Sequence, residues 1–181
     1  MRRIHTADDL ALAELCAARL DGDLYAVDAC FASVALPDDA ETRAAAFAWA
    51  VPDARLVAER WSAAWLWGVR SRPPAVHQAC AAPGARVGSA SPRVDVREAR
   101  LLPADVLTVG AARVTTPSRT TADLLRDRGR WGPDETDAVR QLLAMVDVGR
   151  VRDTLDASRP APHSARAVRR LDELLRPSAL T

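Results

Sequence analysis

"RVTTPSRTTADLL", Arg113 to Leu125, is the stretch that decides the fold. Its first half continues "DVLTVGAARVTT", two β-branched runs joined at Gly110-Ala111, where glycine suits the first central position of a II′ hairpin turn. Its second half opens a helix. Thr116 is a good N-cap, and Pro117 sits at the first helical position, where its missing N–H is harmless. A strand pair running straight into a helix points to an α+β domain. The same stretch places Arg119 in the helix's first turn, the positive end of the backbone dipole, where a cation costs a few tenths to about 1 kcal/mol without a partner. Asp123 follows four residues on, but acid after base is the less favourable order for such a pair. A tertiary partner is the economical answer, and Glu59 is the expected one, giving a structural ion pair Arg119–Glu59. The alternative is that Arg119 faces a partner's carboxylate or a phosphate.

Upstream of the hairpin, "PPAVHQAC" reads as a strand, and "RVDVRE" alternates Val94 and Val96 inward with Arg93, Asp95 and Arg97 outward. Before them "ERWSAAWLWG" makes a compact helix stopped by Gly68, with Trp61 and Trp65 four apart on one face, and Arg55 to Ala58 reads as a short buried strand. A helix from about Asp39 to Pro52 precedes these. At the N-terminal end, Thr6 caps an expected helix whose stripe Leu10, Leu12, Ala13, Leu15, Cys16 and Leu20 should be buried, followed by strand-like Leu24–Val27 and Cys30–Val34. Downstream come helices over Pro133–Met145, about Val148–Ala157, and Ser164–Arg176, the last two joined by the short flexible "SRPAPHS". The expected architecture is α+β. A central mixed or antiparallel sheet is built from strands between Ala75 and Thr116, packed by the Ser62–Trp67 and Pro117 helices, with a helical C-terminal segment.

The chain has 181 residues, 49% of them apolar, enough for one sizeable core and an extension. No apolar run is long enough to span a bilayer, and the start lacks an apolar signal region, so a soluble, cytoplasmic protein without membrane contact is expected. Three scattered cysteines and three histidines form no metal-binding spacing, so neither metal nor cofactor is expected, and the cysteines read as buried free thiols. Every basic side chain is arginine. The absence of lysine excludes Schiff-base, P-loop and S-x-x-K chemistry.

Charge is segregated along the chain. Residues 1–56 hold five arginines against ten acids, whereas 60–130 hold twelve arginines against five acids. Arg70, Arg72, Arg86, Arg93 and Arg97 are the candidate surface for a partner or nucleic acid, with a solvated arginine-rich face as the plain alternative. Tryptophans 49, 61, 65 and 67 read as core rather than as a base-stacking platform, because alanines and Leu66 interleave with them. "DVRE", Asp95 to Glu98, invites comparison with the metal-binding acids of restriction-type nucleases, but the usual following lysine is impossible and alternating charges on a solvated strand explain it. "PGARVGS" lacks the phosphate-loop lysine, and no Ser-His-acid set can be selected from the sequence. No catalytic residue is assigned, and the reading is non-enzymatic.

"ERWSAAWLWG", followed about fifty residues later by "RVTTPSRTTADLL", resembles the AbiEi family of type IV toxin–antitoxin antitoxins, in its actinobacterial branch, over about Asp23 to Leu125 and more loosely in the tail. The resemblance implies an intracellular protein countering a nucleotidyltransferase toxin encoded beside it. In longer members it also implies repression of the operon through an N-terminal winged helix-turn-helix, hence operator DNA as a possible second partner. Here only about twenty residues precede "DLYAV", room for one helix where a winged helix needs three, and the segment is acidic, which repels DNA phosphates. Residues 1–36 are therefore expected to be a reduced winged-helix-like segment and 37–181 the AbiEi-like domain with its helical tail. The alternatives are a DNA-binding transcriptional regulator and a decayed nuclease-like enzyme.

Overall fold

A computed structural model describes residues 2–87, 91–157 and 164–176. The first helix starts later than its threonine suggests. Thr6 spends its backbone N–H (2.9 Å) and its hydroxyl (3.1 Å) on the Asp9 carboxylate, a tight polar turn, and α1 runs only over Leu12–Leu20. Of the expected buried stripe only Leu15 is buried. Leu12 and Leu20 are 59% and 85% exposed, and Cys16 is exposed as well, which overturns that expectation. β1 (Leu24–Val27) and β2 (Cys30–Ser33) then pair antiparallel as a separate hairpin, Val27 opposite Cys30, with Asp28 at φ +53° in the turn.

The sheet proper comes next. Asp39 caps α2 (Ala40–Ala50), its carboxylate accepting the Thr42 N–H at 2.8 Å, as a helix N-terminus favours. β3 (Val57–Ala58) leads into α3 (Arg60–Leu66), which Gly68 ends at φ +82°. β4 (His77–Ala81), β5 (Val94–Glu98), a single 3-10 turn at Pro103–Asp105, β6 (Val106–Val109) and β7 (Ala112–Thr115) follow, and α4 (Pro117–Leu125) opens under the Thr116 cap as expected. Gly110 joins β6 to β7 with φ +51°, the conformation the two-residue turn requires. The sheet is mixed, in the order β5-β4-β3-β7-β6. Its middle strand is β3, which lies outside the Ala75–Thr116 span expected to build it; two residues suffice because β4 and β7 flank it on both sides.

Two cores share α3. Trp65 and Leu66 face the sheet, where they join Phe47 of α2 and Ala58, Ala79, Ala112 and Val114 from the strands. Trp61, one turn earlier, packs the other way, with Val69, Leu124, Leu142, Leu155 and Leu171. The two tryptophans thus serve different cores, 9% and 2% exposed, whereas Trp49, also expected in the core, is 38% exposed and donates through Nε1 to Asp8, which corrects that expectation. The second core is helical: α4 packs against α3, α5 (Pro133–Ala144), α6 (Val148–Ala157) and α7 (Ser164–Leu175) instead of covering the sheet, a correction to its expected position. Each fully buried leucine there contributes about 1.5–3 kcal/mol. The 158–163 connection lies outside the described residues.

Candidate functional site

The parallel register of β4 with β5 sets Arg97 beside Cys80, and this directs the Arg97 fork over the β3–α3 junction. There its Nε–H donates to the Glu59 carboxylate at 2.5 Å, and a guanidinium nitrogen lies 3.6 Å from Asp123 of α4. Glu59 is fully buried and is also met by Arg60 at 3.1 Å. Arg119 does not reach Glu59. It donates through Nε to Asp123 (2.9 Å), the i,i+4 acid, and through Nη1 to Asp105 (3.0 Å), just before β6. The expected Arg119–Glu59 pair is therefore replaced by a chain, Glu59–Arg97–Asp123–Arg119–Asp105, in which Asp123 mediates. Burial alone lowers the pKa of Arg119, but Asp123 and then Asp105 outweigh it and hold it above the ordinary value; Arg97 is raised in the same way by Glu59.

This network withdraws Arg97 from the candidate basic surface, because its charge is balanced internally. The other four arginines are not one patch. Arg70 and Arg72 lie on the loop after α3, whose path is fixed by Arg43: bidentate to Asp38 (2.7 and 2.6 Å), that buried guanidinium donates to the Trp65 carbonyl (2.8 Å) and the Arg70 carbonyl (2.9 Å). Arg70 stacks over Trp61, 4.9 Å from the ring centroid. With Arg72 it lines a cleft against α5 that also holds Asp134, Asp137 and Gln141. Arg93 lies 3.6 Å from Asp28. Arg86 is exposed in the connection between β4 and β5. Arg72 and Arg86 form no ion pair among the described residues.

One constellation went unread in the sequence. His77 of β4 donates through Nε2 to Asp28 Oδ2 (3.0 Å) and meets the Ser62 hydroxyl through Nδ1 (3.2 Å), while Ser62 Oγ accepts the Gln78 N–H (2.8 Å). The ring is packed by Phe47 and Trp65. Ser62 and His77 are 0% and 2% exposed, so the arrangement pins the strained Asp28 turn of the N-terminal hairpin to the sheet and offers no nucleophile to solvent. Only the alternation of "AVHQAC" signals a buried histidine; its partner is 49 residues away.

The acids of the nuclease comparison point to other work. Asp95 lies 3.5 Å from Arg60, and Glu98 accepts the Gly84 N–H at 3.0 Å. Among the described residues no group of three His, Cys, Asp or Glu side chains could hold a metal ion, and no helix is long and apolar enough to cross a membrane. Cys30 and Cys80 are buried. Desolvation, then the Asp28 charge, pushes the Cys30 thiol up to about 12, and desolvation, then the Glu59 charge, raises Cys80 still further.

Comparison with known proteins agrees with this architecture. No curated protein matches the chain. The crystal structure of the RV2827C protein from Mycobacterium tuberculosis superposes with a TM-score of 0.55 over 97% of this chain and 73% of that one, at 18% identity, a likeness of fold. The family model of the AbiEi antitoxin C-terminal domain matches residues 56–176, from β3 and the tryptophan helix through the Thr116-capped helix to the last helix. Over two thirds of its length, then, this chain belongs to the AbiEi antitoxin family of toxin–antitoxin systems.

Proposed function

We propose that the protein counters a nucleotidyltransferase toxin by binding it, using the half-buried Arg70 and the exposed Arg72, Arg86 and Arg93 as contacts, and that it performs no chemistry itself. Family membership supports the antitoxin role. The single observation that carries the binding mode is the sorting of its arginines. Arg43, Arg97 and Arg119 are consumed by internal carboxylates, whereas Arg72 and Arg86 stay exposed without an ion pair among the described residues. Unpaired surface cations steer an acidic partner and set its register. A DNA-reading role draws less support, because two of the three arginines among residues 1–36 are already engaged: Arg2 with Asp9, and Arg3 with Asp39 and Glu41.

Co-expression with the nucleotidyltransferase encoded in the adjacent reading frame tests the proposal. Wild-type chain should restore growth, and Arg70→Glu with Arg72→Glu should abolish rescue at equal protein level. Full rescue by the double variant would reject these contacts.

A further inference from the structure

Among the described residues, the sheet has a second face that no helix covers. Val57 and Cys80 form its floor with Ala99, and Leu101 and Val106 pack beside them, bordering an open cleft of about 600 Å3. Two arginines, Arg55 and Arg113, line the cleft, and no carboxylate does. Arg55 is already paired bidentate to Asp53, whereas Arg113 is exposed on β7 and makes one long contact, 3.4 Å, to the Arg55 carbonyl. Beside the cleft runs β6, the last strand in the sheet order, so the outward backbone groups of Val106 and Thr108 face no neighbouring strand. Both residues also line the cleft with their side chains.

We infer that this cleft is a docking site for an extended acidic segment of a protein partner. The segment adds to the β6 edge, seats an aliphatic side chain against Val106 at the rim of the cleft, and presents a carboxylate to Arg113 on the next strand. An unpaired strand edge with an alternating side-chain pocket is the physical basis of strand addition: main-chain bonds supply affinity and the pocket supplies specificity. Charge complementarity fixes the sign of the guest, since Arg113 is the one lining charge without a carboxylate partner among the described residues and no acid lines the cleft. The floor also selects protein over nucleic acid. It is aliphatic throughout, with no aromatic ring on which a base could stack, and it offers too few cations to follow a phosphate backbone. The site is separate from Arg70 and Arg72 and does not depend on their role.

The test is an NMR titration of the full chain, 15N-labelled, with the peptide acetyl-Glu-Val-Glu-Leu-Glu-amide, with its lysine counterpart acetyl-Lys-Val-Lys-Leu-Lys-amide, and with a poly-dT oligonucleotide. Saturable shifts confined to Val106–Val109 and Ala112–Arg113 with the acidic peptide alone are expected. Arg113→Glu should weaken that binding about tenfold, and Thr108→Trp, which fills the cleft from an exposed position, should abolish it. Unchanged spectra elsewhere will establish that both variants are folded. Absence of shifts at β6 and β7, equal binding of the lysine peptide, or shifts there with oligonucleotide alone would each overturn the inference.

Discussion

Arg119, in the first turn of α4, donates to Asp105 at 3.0 Å, and Asp105 sits immediately before β6. One guanidinium therefore ties the helix that follows the hairpin to the turn that precedes it, while its Nε holds Asp123. The placement of a cation at the unfavourable end of a helix is explained by two carboxylates of the same chain, and the motif is structural.

Removing that cation leaves Asp123, 6% exposed, without its nearest donor. Arg119→Ala should cost about 3–5 kcal/mol, the range for breaking a buried pair from one side. Arg119→Lys should recover little, because a single ammonium cannot replace a fork that serves two acids. Urea denaturation followed by tryptophan fluorescence measures both; a change below about 1 kcal/mol for the alanine variant would contradict the network.

His77 anchors the N-terminal hairpin. His77→Ala removes a donor from the Asp28 carboxylate and leaves Ser62 short of a partner, at about 1–3 kcal/mol for a buried polar group left unsatisfied. The loss should be local. Amide exchange should accelerate across Val27–Phe31 more than in β4 and β7, whereas uniform acceleration would mean that the hairpin and sheet unfold together.

Acid should weaken the α2 cap. The Thr42 N–H, and then its hydroxyl, together with Arg3, holds the Asp39 pKa below its ordinary value, and the Arg55 side chain, then its backbone N–H, lowers Asp53 to about 2. Each group is more acidic folded than unfolded, so its contribution is complete above about pH 4 and is lost as pH falls through the folded pKa. Asp39→Asn preserves a good cap but not the charge. Its Tm deficit relative to wild type should be present at pH 6 and shrink towards pH 2; a deficit independent of pH would contradict this assignment.

The thiols should separate by reactivity. At pH 8 only Cys16, exposed on α1, should react rapidly with Ellman's reagent, because Cys30 and Cys80 are buried and raised far above neutrality. Two fast thiols in the native chain would be inconsistent with the described packing.

Much of this fold is legible in the sequence where a local rule governs. Asp39 and Thr116 start helices by accepting N–H groups three residues on, Gly68 ends one, and Gly110 turns a hairpin. What the sequence does not disclose is set by non-local registry. The two-residue β3 becomes the centre of the sheet only because β4 and β7 both pair with it. Glu59 is expected to serve Arg119, but the register Cys80↔Arg97 sets Arg97 on Glu59, and Arg119 pairs with Asp123 and Asp105 instead. Thr6 misleads for a local reason: Asp9 competes for its N–H and hydroxyl, so the residue closes a turn in place of a helix.

The most direct measurement is calorimetric titration of the purified chain with the proposed partner, a nucleotidyltransferase toxin, comparing wild type with the Arg70→Glu, Arg72→Glu, Arg86→Glu variant. A saturable complex for wild type, weakened at least about tenfold in the variant and further weakened by salt, is the predicted result. Neutralisation of the toxin with no detectable complex, or equal affinity for both proteins, would contradict binding through exposed arginines.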